Sequence, residues 1–239
     1  MLAADDVHWW YRGRRRVIDA ALECLGLPDD ARILDAGCGS GRMLDELAAH
    51  GEVTGVDSDP ACVAAAGARG RNVLPAELPH LPFSGASFDL VTCFDVIEHL
   101  DDDVAALREL RRVAVPSGRL LATVPAYQSL WSRHDVVNRH RRRYHAGSFA
   151  AAAETAGWTV ERQTYFNSLL LPPAAALRIG ERLRRPARAR GGSDLDLTPA
   201  RLDRVLELPL QLEAALVRRR VRLPAGLSLM TICRNPDQP

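Results

Sequence analysis

Lysine is missing altogether: all 31 basic residues of this 239-residue chain are arginine. We read that absence as coding bias, since arginine appears in exposed helices as readily as in clusters. The 30 acids leave a net charge of +1, without the excess that a general nucleic-acid binder carries. The five cysteines, Cys24, Cys38, Cys62, Cys93 and Cys233, are odd in number and form no CxxC pair. A disulfide framework and a cysteine zinc site are thereby disfavoured. No uninterrupted apolar run approaches the ~20 residues of a membrane span. The best stretch, SLLLPPAAAL at 168–177, is short and broken by two prolines. The opening MLAADDVHWWYRGRRR has acids and aromatics where a signal peptide needs an apolar core. A reducing cytoplasm is the expected location.

What is present suits a folded enzyme-sized domain. Hydrophobic residues make up 47% of the chain, enough for a proper core. Residues 8–25 carry helical spacing, with Trp9, Val17, Ala20, Ala21 and Leu25 on one side and Arg14 to Arg16 partly outward. ARILDAG, EVTGVD, NVLPA, SFDLVTCFD and GRLLATVPA then read as five strands. RMLDELAAHG, DPACVAAAGARG and DDDVAALRELRRVA read as the helices between them. Strand and helix alternate through 31–125, which implies a parallel sheet covered on both faces. A helix at 148–156, a sixth strand WTVERQTYF and a last strand LSLMTICR follow. About sixty residues before that last strand read as two arginine-rich helices joined by RARGGSDLDLTP. The organisation expected is one α/β domain over 1–239. It has a helical cap at 1–27, a cofactor-binding core at 31–166, a helical insertion at 167–224 and the last strand at 227–234.

The chemistry begins where the first strand ends, at Asp35-Ala36-Gly37-Cys38-Gly39-Ser40-Gly41. Ligands of open parallel sheets bind at the carboxyl ends of strands. Glycines there allow positive φ and close approach of the backbone. The spacing is GxGxG, with Arg42 where most dinucleotide folds have the last glycine. Asp57 closes the second strand twenty residues after Gly37, where an acid can accept both hydroxyls of a ribose. Loop and acid together point to a nucleoside with an anionic or amino-acid appendage.

ILDAGCGSG, VTGVD, LPHLPF and SFDLVTC together resemble the landmarks of class I S-adenosylmethionine-dependent methyltransferases. The resemblance covers residues 31 to about 125 closely. It implies a Rossmann-like, mostly parallel sheet of seven strands with helices on both faces, the last strand antiparallel and inserted beside the sixth. It implies S-adenosyl-L-methionine as cofactor. The loop Gly37, Cys38, Gly39 and Gly41 would hold the methionine moiety, with Asp35 beneath it. Asp57 and Ser58 would meet the ribose, Glu77 and Leu78 the adenine, and Asp95 the methionyl end.

The acceptor side is read from what lies at the same sheet edge. Relatives that methylate quinone precursors or RNA ends carry an acid-x-x-Glu-His group, in some of them a cation site. The matching residues are Asp95, Glu98 and His99, but no fixed fourth ligand is visible, and no metal is expected. LWSRHDVVNRHRRRYH at 130–145 follows the fifth strand and is read as the acceptor wall. Tyr127 and Trp131 would pack on a flat acceptor, with His99 beside them. His134, oriented by Asp135, is the candidate general base. Arg139 and Arg143, with Arg141 and Arg142, would clamp an anionic group; the other reading is a basic loop pairing with the acids at 101–103. His140 and His145 are read as surface. Trp9, Trp10 and Tyr11, with His8 and Arg12, form the second wall, or simply dock their helix.

The expected reaction is methyl transfer to a small-molecule acceptor, on oxygen in the leading reading. N- or C-methylation, a cyclase or decarboxylase on the same scaffold, and a lipid-linked acceptor at a membrane surface are the alternatives. A nucleic-acid substrate is not expected; a homodimer is compatible with the sequence.

Overall fold

The structure is a computed structural model; it describes residues 9–176 and 203–236. Seven strands form one sheet: β1 (Arg32–Ala36), β2 (Glu52–Asp57), β3 (Val73–Pro75), β4 (Phe88–Phe94), β5 (Ala114–Pro125), β6 (Thr159–Phe166) and β7 (Ser228–Arg234). Their order is β3-β2-β1-β4-β5-β7-β6. The first five run parallel, pairing Leu34 with Thr54 and with Val91, for example. β7 enters antiparallel between β5 and β6, opposing Leu121 with Ile232 and Thr164 with Met230. The seven strands, with an antiparallel last strand beside the sixth, are those the resemblance implied.

Alternation along the strands divides the core between two faces. Leu34, Val91, Cys93, Leu120, Ala122 and Leu229 face α4 (Asp103–Val113) and α6 (Ala146–Thr155), against Leu107, Leu110 and Phe149. Ile33, Leu90, Leu121 and Met230 face the other layer, made of α1 (Trp9–Glu23), α2 (Arg42–Leu47) and the long helix α7 (Asp203–Arg218). Both faces are apolar because both are covered, which is why these strands read as continuous hydrophobic runs.

α7 lies in the insertion and packs along α1. Gly13 makes the close approach possible: a Cβ there would stand 2.3 Å from Leu210 Cδ1. Arg12 meets Glu207 at 3.0 Å, and Arg16 pairs with the same carboxylate. At the other end Arg218 pairs with Glu23. Arg218, in the arginine-rich second helix of the insertion, thus serves helix pairing. The joining stretch 188–199 and most of the first insertion helix lie outside the described residues. Among the described residues, no helix is long and apolar enough to cross a membrane.

Candidate active site

The carboxyl ends of β1, β2, β4 and β5 share one edge of the sheet, and the sequence-marked residues collect there. Gly37 and Gly41 hold φ of 83° and 81°, and each is closed on its outer side. A Cβ on Gly37 would lie 2.3 Å from Val96 Cγ2, and one on Gly41 2.8 Å from the Ala66 Cβ. Gly39 also has positive φ, 54°, yet nothing lies within 4 Å of the Cβ position. The loop is thus pressed against the protein at both ends and open in the middle. Asp57 fixes it: Gly39 N–H donates to Oδ2 at 2.8 Å and Asp59 N–H to Oδ1 at 2.9 Å. Each carboxylate oxygen keeps a second lone pair for a hydroxyl.

Asp35 lies beneath the loop, 1% exposed, accepting from Thr92 Oγ1 at 2.7 Å. Burial pushes its carboxyl up to about 6, against the pull of Thr92 and Arg14. Cys38 is buried beside Gly55, and burial raises its thiol far above the usual range. Ser58 and Glu77 are exposed at the rim beyond β2 and β3, and Leu78 is buried beneath them. Ala76 N–H donates to the Asp57 carbonyl at 3.1 Å, which holds the Glu77 turn beside the acid that ends β2. An open glycine cradle flanked by Asp35 and Asp57 fits an amino-acid-bearing nucleoside.

Past β4 the chain turns through Asp95, at φ 55°, into a short 3-10 turn, Ile97–His99. Asp95 pairs with Arg14 at 2.7 Å and accepts from Thr123 Oγ1 at 3.2 Å. Arg14 was expected partly outward. It points inward instead, its side chain 12% exposed, because α1 lies over this edge with its arginine against Phe94 and Asp95. Helical spacing places Arg14 beside outward neighbours and gives no sign of that acid.

The 127–145 segment leaves β5 and comes back to it. Tyr127 N–H donates to the Tyr144 carbonyl, and Tyr144 N–H to the Pro125 carbonyl. Arg141 N–H donates to the Glu98 carbonyl at 2.7 Å, which pins the segment to the turn after β4. Three imidazoles meet there. His99 and His140 are 4.7 Å apart between ring centroids, and His140 and His134 6.0 Å. His99 is half-buried, and burial followed by His140 lowers its pKa. His134 Nε2 lies 2.8 Å from Asn138 Nδ2.

Several acceptor-side expectations need correction. Asp135 does not orient His134. It is fully buried in α5 (Arg133–Val137), bonded to His140 Nδ1 at 2.9 Å and to both Arg143 Nε, at 2.7 Å, and Arg143 Nη2, at 2.9 Å. Burial opposes its ionisation, but His140, Arg143 and the Ser132 N–H outweigh burial and hold its carboxyl below the usual range. His140 is correspondingly no surface residue; its side chain is 9% exposed. The spacing S-x-x-D from Ser132 to Asp135 is a capping-box signature, and the box is present. That pattern was the available signal that Asp135 turns back into its own helix.

Arg143 is bound to Asp135 and to the Ala126 carbonyl, so it does not clamp an acceptor. Arg141 and Arg142 pair with Asp101 and Asp103 at 3.3 and 3.0 Å, as the basic-loop reading had it. Arg139 is exposed. Trp9 is 5% exposed within the core layer and docks its helix rather than lining a pocket. Trp10 stacks on Phe166 at 6.3 Å, and Tyr11 and Trp131 are half-buried. Tyr127 stacks on Tyr165 at 5.2 Å; burial and that neighbour push its hydroxyl up to about 12. His8 lies outside the described residues, and His145 is exposed, capping α6.

Beside Glu98 the third close ligand-type residue is His140, not Asp95. Glu98, His99 and His140 bring their donor atoms within 4.8 Å of one another. Glu98 is fully buried, and neither carboxylate oxygen has a hydrogen-bond partner among the described residues. Burial, then Asp95, drives its pKa well upward.

Comparison with known proteins agrees with this geometry. The methyltransferase domain family matches residues 34–122. A relative from Mycolicibacterium smegmatis named "Probable S-adenosylmethionine-dependent methyltransferase" is 35% identical over 161 residues, 64% of this chain and 61% of that one. The ubiquinone biosynthesis O-methyltransferase of Alkalilimnicola ehrlichii is 32% identical over 114 residues, 44% of this chain and 45% of that one. The chain thus spans between about half and three fifths of the length of these relatives. The crystal structure of the [4+2]-cyclase SpnF superposes with a TM-score of 0.64 at 19% identity, covering 96% of this chain and 83% of that one, a likeness of fold. The domain match runs through the glycine loop, the acid that ends β2, and β4, and this part of the chain is similar to S-adenosylmethionine-dependent methyltransferases.

Proposed function

We propose that this protein transfers the methyl group of S-adenosyl-L-methionine to an oxygen of a small-molecule acceptor. The observation that carries this reading is the row of imidazoles His99, His140 and His134 at the sheet edge beside the glycine cradle. Hydroxyl acceptors need a proton removed as the new bond forms, whereas free amines need only positioning. The O-methyltransferase named among the relatives supports the same choice.

When bound, the cofactor supplies an electrophilic methyl group on a sulfonium that leaves as a neutral thioether. The chain's residues do the rest. Gly39 gives the methionyl end its close approach, and Asp57 accepts the ribose hydroxyls. Tyr127 and Trp131 wall the acceptor. His134 takes the acceptor's proton on Nε2, exchanging the hydrogen bond from Asn138 Nδ2 for the acceptor's hydroxyl. Asp135 is a positioning residue for His140 and Arg143 rather than for His134. Arg139, at the exposed rim, is the arginine we assign to an anionic group on the acceptor. The cytoplasm is the proposed site of action.

A second reading follows from the cyclase neighbour: the same cradle holding the cofactor without spending its methyl group. Incubation with methyl-labelled cofactor and a panel of phenols, enols and carboxylic acids separates the two. Label recovered as a methyl ether or ester supports the proposal. Label on nitrogen or carbon, or product formed while the label stays on the cofactor, overturns it. His134→Ala is expected to slow turnover by ~10²–10⁴ while leaving affinity for the demethylated cofactor intact.

A further inference from the structure

We infer that Glu98, His99 and His140 form a site for one divalent transition-type cation, of the Zn²⁺ class, at the end of β4. The inference begins with charge. Four neighbouring carboxylates have arginine partners: Asp95 has Arg14, Asp101 has Arg141, Asp103 has Arg142 and Asp135 has Arg143. Glu98 is the most buried carboxylate there along with Asp135, and its two oxygens meet no donor among the described residues. A carboxylate withdrawn from water without donors is costly. Two imidazoles stand where a cation's other ligands would be.

The donor set chooses the ion. Two histidines with one carboxylate match zinc and related borderline ions, whereas Mg²⁺ and Ca²⁺ prefer all-oxygen shells. The three donor atoms lie within 4.8 Å of one another. Ligands about 2.1 Å from one tetrahedral ion stand roughly 3.4 Å apart, so closure needs side-chain adjustments of the order of an ångström. The surroundings are those of a supported ligand. Asp135 holds His140 Nδ1 at 2.9 Å, which leaves Nε2 as the nitrogen for an ion, and Arg143 and Ser132 fix Asp135 in turn. A carboxylate behind a histidine is the usual support of a metal ligand. Arg141 N–H on the Glu98 carbonyl ties the two ligand-bearing segments together.

The set differs from an acid-x-x-Glu-His group, because Asp95 is engaged by Arg14 and the third ligand comes from the segment after β5. Three protein ligands leave a coordination position open. Resting on the proposed reading, an acceptor oxygen bound there would lose its proton more readily, with His134 nearby to take it.

The test uses the metal alone, so it does not depend on acceptor or turnover. Full-length protein stripped with chelator is titrated with Zn²⁺ by calorimetry, and with Co²⁺ by visible absorption. One equivalent should bind, with Co²⁺ d–d bands of a site with nitrogen and oxygen ligands. Glu98→Gln and His140→Gln should each weaken Zn²⁺ binding at least ~10-fold, and Asp135→Asn by ~10–100-fold through His140. His99→Gln, at a half-buried position, guards against loss of fold; retained binding of the demethylated cofactor confirms each variant is folded. Absence of stoichiometric binding to the wild type overturns the inference. So does binding that survives in Glu98→Gln, His99→Gln and His140→Gln alike, which would place the ion on other histidines or cysteines. Metal binding without methyl transfer would leave this site standing and refute the proposed reaction; methyl transfer by stripped protein without metal binding would do the reverse.

Discussion

Arg14 of α1 and Asp95 at the end of β4 form an ion pair at 2.7 Å, which anchors the N-terminal helix over the edge where the cofactor strands end. The arginine is 12% exposed and the aspartate 34%, so solvent screens the pair and its worth is about 1 kcal/mol. Arg14→Gln should therefore lower the melting temperature by about 2–4 °C for a chain of this size. Asp95→Asn should do much the same, and the double variant should lose little more than either single one. Additive losses in that thermal double-mutant cycle would show that the two residues act separately.

Gly37 and Gly39 should respond differently to alanine. Gly37→Ala meets Val96 at 2.3 Å and is expected to cost stability outright. Gly39→Ala enters open space and should fold, with about 1–2 kcal/mol of left-handed backbone strain, yet bind the demethylated cofactor poorly. Asp57→Ala should weaken that binding ~10–100-fold through its charge-assisted bonds. Calorimetry giving wild-type affinity for either Gly39→Ala or Asp57→Ala would remove the cradle assignment.

Asp35 predicts a stability that rises as the solution becomes mildly acidic. Its carboxyl titrates near 3.8 when unfolded and about 6 when folded, so between these values the folded state binds more protons. Stability contributed by the protonated form is present at pH 4 and is lost as pH rises through 6, a difference of roughly 3 kcal/mol. Thr92 and Arg14 oppose the upward displacement, and Asp57 adds to it. Glu98 moves in the same direction. Denaturant melts of the cofactor-free protein from pH 4 to 7 should show this slope, and Asp35→Asn should flatten it. An unchanged slope in Asp35→Asn would assign the effect elsewhere.

Arg143→Ala should act as a buried-pair deletion. Asp135 would keep its His140 and Ser132 contacts but lose its arginine, at a cost of about 3–5 kcal/mol. The wild-type carboxyl is held below its ordinary range. Its contribution is therefore present above the unfolded value near 3.9 and is lost as pH falls towards the folded one. A variant that melts like the wild type but shows only a raised KM for an anionic acceptor would restore the clamp reading of Arg143.

Much of this molecule was legible in its residues. Apolar runs ending in glycine or aspartate located the strands, because backbone in a covered parallel sheet tolerates few polar side chains. The glycine loop was legible because positive φ and close approach select glycine locally, and Asp57 because its place at the end of a strand is fixed by spacing. The acceptor side was not. Arg14, His140, Asp135 and Arg143 are polar residues on helices or loops, and local pattern says only that they are polar. Their roles depend on which distant group each meets: Asp95 for Arg14, and for Asp135 a histidine and an arginine brought back by the turn of 127–145. Sequence by itself determined the sheet and the glycines and acids that collect at the carboxyl ends of its strands, since backbone geometry and burial act within a few positions. Only the tertiary structure decided which charges pair, and so which histidine is supported and which carboxylate meets no donor among the described residues. Such pairing acts over a few ångströms between segments far apart in the chain.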